Sequence, residues 1–204
     1  MTYKNNIFLI TKVIVPFSLF LITALILGCV NIPKNQDNAG LILKQNRNWV
    51  KALKKTEKKW GVTAGMQLAF IKTESNFRPT ARTPRKYFLG IIPNGRISSA
   101  YGYSQALDGT WKQYKKSTGN KYHRRSNFYH STNFIGWYVN ITKNKLGINK
   151  NNAYLNYIAY HQGHAGFKTG AYKKKKGLVA VAKKTERNKK IFDSQLKNCR
   201  HFRN

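Results

Sequence analysis

A chain of 204 residues that is 41% apolar, with 11 Phe, 12 Tyr and 4 Trp, has the length and the material for one domain with a real core, which excludes a disordered basic tail. Its 38 Lys and Arg against six Asp and Glu give a formal charge of +32. That balance calls for an anionic partner, whether nucleic acid, phospholipid, lipopolysaccharide or an acidic cell-wall polymer, and charge alone does not choose among these.

Lys4 and Lys12 precede an apolar run from Val13 to Leu27 that ends in "ILGC", Ile26 to Cys29. A basic start, an apolar middle and a small residue before the cut are the layout of a secretory signal peptide over residues 1–28, with an uncleaved membrane span as the plainer alternative. "ILGC" resembles a bacterial lipobox, which implies lipidation of Cys29 and a membrane anchor there. Val30 follows the cysteine, and by the same resemblance favours the outer membrane of the cell envelope, facing the periplasm. Cys199 is then left without a partner in the chain. Export also argues against nucleic acid as the partner, and no DNA- or RNA-binding motif is present.

Residues 29–40, polar and carrying Pro33 and Gly40, read as a short tether before a domain over residues 41–204. In "WVKALKKTEKKWG", Trp49, Leu53 and Trp60 share one helical face, lysines take the other, and Gly61 is a C-terminal stop. Thr63 can cap a second helix, "AGMQLAFIKTES", whose Met66, Phe70 and Ile71 face inward. Pro79, Pro84, Pro93, Gly90 and Gly95 forbid a long helix between Asn76 and Ser99, a segment that could form a flap over a groove. A third helix follows, with Asp108 as N-cap and Gly119 as stop. Phe134, Trp137, Tyr138 and Ile141 mark a fourth, largely buried helix. A fifth starts at an Asn cap and carries Tyr154, Tyr157, Ile158 and His161 before a glycine-punctuated turn over residues 163–166. In the last, from about Leu178 to Lys197, Val181, Thr185, Ile191, Phe192 and Leu196 form a stripe. With no convincing strand alternation and no internal repeat, the class is mainly α.

The six acids are few enough to weigh singly. Glu57 and Glu186 read as helix-surface partners of lysines, Asp37 lies in the tether, Asp193 in a basic exposed helix, and Asp108 at a cap. Glu74 is the exception, with Phe70 four residues before it, Ile71 three before and Phe77 three after. Burial against such a face raises a carboxyl pKa and keeps the proton for general-acid work. The alternative is an ion pair with Lys72, Arg78 or Arg82, and spacing leaves the two readings level.

"ESNFRPTA", Glu74 to Ala81, resembles the Glu-Ser-x-Phe-x-Pro-x-Ala signature of the soluble lytic transglycosylase (SLT) domain. "YGYSQALDGTW", Tyr101 to Trp111, and "AYHQG", Ala159 to Gly163, resemble two further segments of that family in the same order. The resemblance covers roughly residues 45–195, is nearest to a lipoprotein subgroup, and implies a single lysozyme-like, SLT-type catalytic domain that cleaves peptidoglycan. Carried over by position, it implies Glu74 as the one catalytic acid and base. It implies Ser75, Gly102, Gln105, Tyr160 and His161 as substrate-binding residues, with Tyr160 orienting the glutamate. His161 stands where the family pattern has Asn, and Ser104 where it often has Met.

No cofactor is implied, and His161 with His164 lacks a third ligand for a metal. The expected partners are glycan strands of peptidoglycan and, through Cys29, a membrane; the expected state is a monomer. Reaction by transglycosylation needs no second carboxylate, in keeping with so few acids, whereas a lysozyme-type hydrolase would use Asp108 to activate water. A non-catalytic envelope-binding lipoprotein is the rival from another class.

Overall fold

The computed structural model describes residues 32–203. The expected signal peptide over residues 1–28 and the lipidation expected at Cys29 lie outside the described residues. Among the described residues no helix is long and apolar enough to cross a membrane.

Helices dominate, and their ends follow local chemistry. Asn38 accepts a hydrogen bond from the Leu41 N–H and opens α1 (Ala39–Gln45). Helix α2 (Asn48–Trp60) buries Trp49, Ala52, Leu53 and Thr56, and ends at Gly61 in the left-handed conformation that a residue without Cβ adopts freely. Thr63 Oγ1 accepts from the Met66 N–H at the start of α3 (Ala64–Ser75). Nearly every side chain of α3 from Ala64 to Ile71 is buried, so this is the central helix and not an amphipathic one.

Strands β1 (Arg85–Phe88) and β2 (Ile92–Arg96) pair antiparallel, with Tyr87 opposite Pro93 and Phe88 opposite Ile92. Then come α4 (Asp108–Thr118), α5 (Phe128–Leu146), α6 (Ala153–Lys168), a 3-10 turn (Ala171–Lys174), α7 (Lys176–Lys197) and a terminal turn α8 (Arg200–Arg203). Helix α6 is broken at Gly163, whose φ of 71° and ψ of 160° are not helical. The expected glycine turn is therefore a kink, with the chain continuing helically beyond it.

Helix α3 packs against α7 above all, and also against α2 and α5, while α6 lies on α5 and α7. Two glycines set the closest approaches. A Cβ at Gly65 would lie 2.7 Å from the Asp193 backbone N, and one at Gly136 would lie 2.5 Å from the Trp60 ring. The buried core is drawn from residues between Ala39 and Cys199, and residues 32–204 separate as a compact unit by contacts of their own. That unit therefore holds what it needs to fold alone.

Four expectations change on folding. Residues 32–40 are not a free tether: Pro33 is buried, the Ala39 N–H donates to Gln195 Oε1 at 2.8 Å, and Asp37 pairs with Lys72 at 2.5 Å. The segment after Asn76 holds a hairpin, missed because its strands are exposed but for half-buried Arg96 and so show no alternation. On α7, Ala182, Thr185, Phe192 and Leu196 are buried, but Val181 and Ile191 face solvent. Asp108 is the first residue of α4 and not its cap; Leu107 precedes the helix, and the Asp108 carboxylate takes Arg125 as partner.

Candidate active site

Glu74 sits in the last turn of α3, where the chain turns sharply. Asn76 and Phe77 both take positive φ, 48° and 59°, a conformation unusual for non-glycine residues and strained for a bulky one. Phe77 is held there by full burial and by stacking on Trp49 at 5.8 Å between ring centroids. Phe77 is thus beyond the helix, packed in the core around Trp49, and is not on the helical face that its spacing suggested.

The surroundings of Glu74 come from α6. Phe70 meets Tyr157 edge-on at 5.5 Å and Tyr160 at 5.4 Å, so one phenylalanine of α3 docks both tyrosines near the carboxyl group. Glu74 keeps some accessible surface, yet protein atoms crowd its carboxyl group. Desolvation raises its pKa to about 7, and a hydrogen bond with the Tyr157 hydroxyl, which favours the ionised form, pulls the other way. Tyr157 and Tyr160 are both pushed up, first by burial and then by the facing Glu74 charge.

The ion-pair alternative for Glu74 fails on geometry. Among the described residues no Lys, Arg or His nitrogen pairs with it. Lys72 is taken by Asp37, Arg78 Nε donates to the Ser75 carbonyl at 3.1 Å, and the Arg82 guanidinium lies over the Tyr101 ring at 4.3 Å. Each of the three candidate cations has another partner.

The segment from Tyr101 to Leu107 forms the facing wall. Gly102 has φ of 76°, and a Cβ there would lie 2.2 Å from the Arg125 carbonyl oxygen, so only glycine fits this approach. Its N–H donates to the Ala81 carbonyl at 2.9 Å, joining this wall to the chain that follows Glu74. Gln105, itself at φ 46°, donates Nε2 to the carbonyls of Ala81 at 2.9 Å and Gly102 at 2.8 Å. The side-chain nitrogen is therefore committed to the wall. Tyr160 donates its hydroxyl to the Ser104 carbonyl at 2.5 Å, which ties α6 across to the same segment.

Between these elements lies a cleft of about 200 Å³ whose lining includes Gln105, Leu107, Thr110, Tyr138, Tyr160 and His161. Folding thus gathers Gln105, Tyr160 and His161 at one opening; Glu74 is not among its lining residues, and its charge reaches Tyr160 from the α3 side. His161 Nδ1 bonds the Gln162 amide, and burial followed by the Lys175 charge holds its pKa below the usual histidine value. Ser75 behaves otherwise. It is 1% exposed and its hydroxyl donates to the Ile71 carbonyl at 3.0 Å, so it secures the end of α3 and does not face the cleft. Tyr103 is likewise core, 1% exposed and edge-on to Trp49.

The model of the family described as "Transglycosylase SLT domain" matches residues 17–199. The chain belongs to this family. No curated protein sequence is similar enough to count as a match. The SLT assignment brings a lysozyme-like, mainly helical fold and a peptidoglycan-directed, lytic transglycosylase-type function in the cell envelope.

Within this SLT domain, Asp108 stands at the start of α4, 68% exposed, with a carboxylate oxygen 2.6 Å from Arg125 Nη2. Arg125 in turn donates Nη1 to the carbonyls of Ser99 and Ala106, so the acid is held by a guanidinium already clamped to the wall. Tyr157, which helical spacing groups with Tyr154, Ile158 and His161, is the neighbour of Glu74 that sequence reasoning did not single out. Among the described residues no cluster of His, Cys, Asp or Glu could hold a metal. His164 Nε2 bonds Thr142 Oγ1 at 2.9 Å and its ring stacks on Tyr138.

Proposed function

We propose that the protein is a peptidoglycan lytic transglycosylase that cleaves the β-1,4 bond from N-acetylmuramic acid to N-acetylglucosamine, with Glu74 as acid and then base. The observation that carries this reading is a carboxyl group with a pKa of about 7, unpaired with any cation among the described residues, whose charge acts on Tyr160, a wall residue of the cleft. Near neutral pH such a group keeps much of its proton for the first step, and the anion which that step leaves is the base of the second. Protonated Glu74 gives its proton to the bridging oxygen, and the C1–O bond breaks. The substrate's acetamido group steadies the positive C1. Glu74, now ionised, takes the proton of the muramic C6 hydroxyl as that oxygen attacks C1 and closes a 1,6-anhydro ring.

Tyr157 and Tyr160 hold the carboxyl group in place, and Gln105 and His161 contact the glycan at the mouth of the cleft. Among the described residues that line the cleft there is no carboxylate, and Asp108 is engaged by Arg125, which supports transglycosylation over hydrolysis. We further propose that residues 1–28 are a signal peptide, that Cys29 carries lipid, and that the protein works as a monomer on the periplasmic side of the outer membrane.

The test is mass spectrometry of the muropeptides released from sacculi. Anhydro-muramic ends from wild type and none from Glu74→Gln are expected. Reducing muramic ends together with inactive Asp108→Asn would replace this reading by the hydrolase, and undiminished release by Glu74→Gln would exclude Glu74 chemistry altogether.

A further inference from the structure

The β1–β2 hairpin exposes more apolar surface than any element of a water-facing domain needs. Tyr87, Phe88, Leu89, Ile91 and Ile92 are 54%, 58%, 77%, 78% and 53% exposed, and they are nearly consecutive at the tip. The tip meets nothing of its own domain: Leu89 and Gly90 turn it at positive φ, and a Cβ at Gly90 or Gly95 would find open space. The base, by contrast, is fixed. Arg96 Nη1 donates to the Thr83 carbonyl at 2.6 Å, Thr83 Oγ1 donates to the Ser98 carbonyl at 2.9 Å, and Ile97 N–H reaches the Pro84 carbonyl at 3.2 Å. An isolated two-stranded hairpin is marginal in water, so an anchored base with a bare apolar tip is a presented surface and not a packed one.

Charge selects the occupant. From Ser75 to Leu107 there is no Asp or Glu, whereas Arg78, Arg82, Arg85, Lys86 and Arg96 all fall in this stretch. Arg85, Lys86 and Arg96 belong to the strands themselves, directly behind the apolar tip. Apolar side chains at a point, cations one step behind and a strongly basic body form the pattern that enters the boundary of an anionic bilayer: the tip reaches the acyl region while the cations meet the headgroups. A protein partner of ordinary character would supply acids or a groove, and neither is required here.

We propose that this hairpin is a membrane-docking element, with Phe88, Leu89, Ile91 and Ile92 inserting into an anionic phospholipid surface and Arg85, Lys86 and Arg96 pairing with its phosphates. The contact is separate from any lipid at Cys29. Because the hairpin lies in the chain between Glu74 and Gln105, docking would hold the cleft at a set distance from the bilayer.

Residues 32–204, expressed alone, provide the test by co-sedimentation with vesicles of phosphatidylglycerol and phosphatidylethanolamine, against vesicles of phosphatidylcholine. Binding to the anionic vesicles only is expected, with at least about a tenfold loss of partitioning in Leu89→Ser/Ile91→Ser, as loss of buried apolar surface predicts. Cleavage of detergent-solubilised glycan should be the same in the variant, and the sites are far enough out on the tip that its circular dichroism should match wild type. Equal vesicle binding by variant and wild type would overturn the proposal in favour of charge alone. Wild-type dimers that the variant loses would assign the patch to self-association, and loss of glycan cleavage in the absence of vesicles would assign it to the substrate groove.

Discussion

At the scale of single residues, the proposed chemistry depends on how Glu74 is held. Its pKa of about 7 is set by desolvation, so a falling limb of activity near that value is expected as pH rises and the acid loses its proton. Glu74→Gln should lower muropeptide release by about 10²–10⁴-fold. Tyr157→Phe removes a hydrogen bond that favours the ionised carboxylate, so the falling limb should move to higher pH, with a loss of rate near tenfold from the weaker hold on the carboxyl group, about what one charged hydrogen bond is worth. A limb that moved to lower pH would show that the hydroxyl acts otherwise. Asp108→Asn breaks only an exposed ion pair and should cost less than about fivefold.

The same carboxyl group couples to stability. Its folded pKa lies above the ordinary value of 4.5, so the folded state holds a proton that the unfolded chain releases between pH 4.5 and about 7. Stability contributed by the neutral acid is present below 4.5 and falls as pH rises through 7. Glu74→Gln, always neutral, should match wild type at pH 4 and exceed it at pH 8 by on the order of 1–2 kcal/mol, after allowance for the solvent that reaches Glu74. Urea denaturation at the two pH values measures this difference directly.

At the scale of elements, the site is where α3, α6 and the Tyr101–Leu107 segment converge, and small residues allow the convergence. Gly102→Ala puts a methyl group 2.2 Å from the Arg125 carbonyl oxygen at a φ of 76°, so the wall must shift. It should reduce glycan cleavage far more than it reduces thermal stability, because Gly102 and Gln105 share the Ala81 carbonyl that links the wall to Glu74. Gly136→Ala is a contrasting case. Its methyl group would meet Trp60 at 2.5 Å between α2 and α5, distant in role from the cleft, and a loss of about 1–3 kcal/mol of stability is expected in the same denaturation assay.

Much at this scale was legible in the sequence. Thr63, Asn152 and Gly61 act as the caps and stop that their types announce. The exposed hairpin was not legible, because strand alternation is a sign of one buried face and this hairpin has none. Val181 and Ile191 misled for the converse reason: helical spacing permits burial but cannot enforce it where no partner helix arrives.

At the scale of the whole molecule, a formal charge of +32 sets both what the protein approaches and how firmly it folds. Self-repulsion opposes the compact state, and raising ionic strength from 0.01 M to 1 M shortens the screening length from about 30 Å to about 3 Å. The midpoint of thermal unfolding should therefore rise with salt, while retention on sacculi, which depends on attraction to anionic wall polymer, should fall. A chain whose unfolding midpoint stayed flat over that range would hold its charges too far apart to matter.

Periodicity, caps and ordered motifs are properties of neighbours along the chain, so the mainly helical class, the family and Glu74 as the acid to watch could be read from residue order alone. The choice between an ion-paired and a desolvated Glu74 came with the folded arrangement. That arrangement gives Lys72, Arg78 and Arg82 other partners and brings Tyr157 and Tyr160 across from α6. It also turns Ser75 inward and sets Asp108 against Arg125. A carboxyl pKa depends on the dielectric and charges around it, and residues remote in sequence supply both.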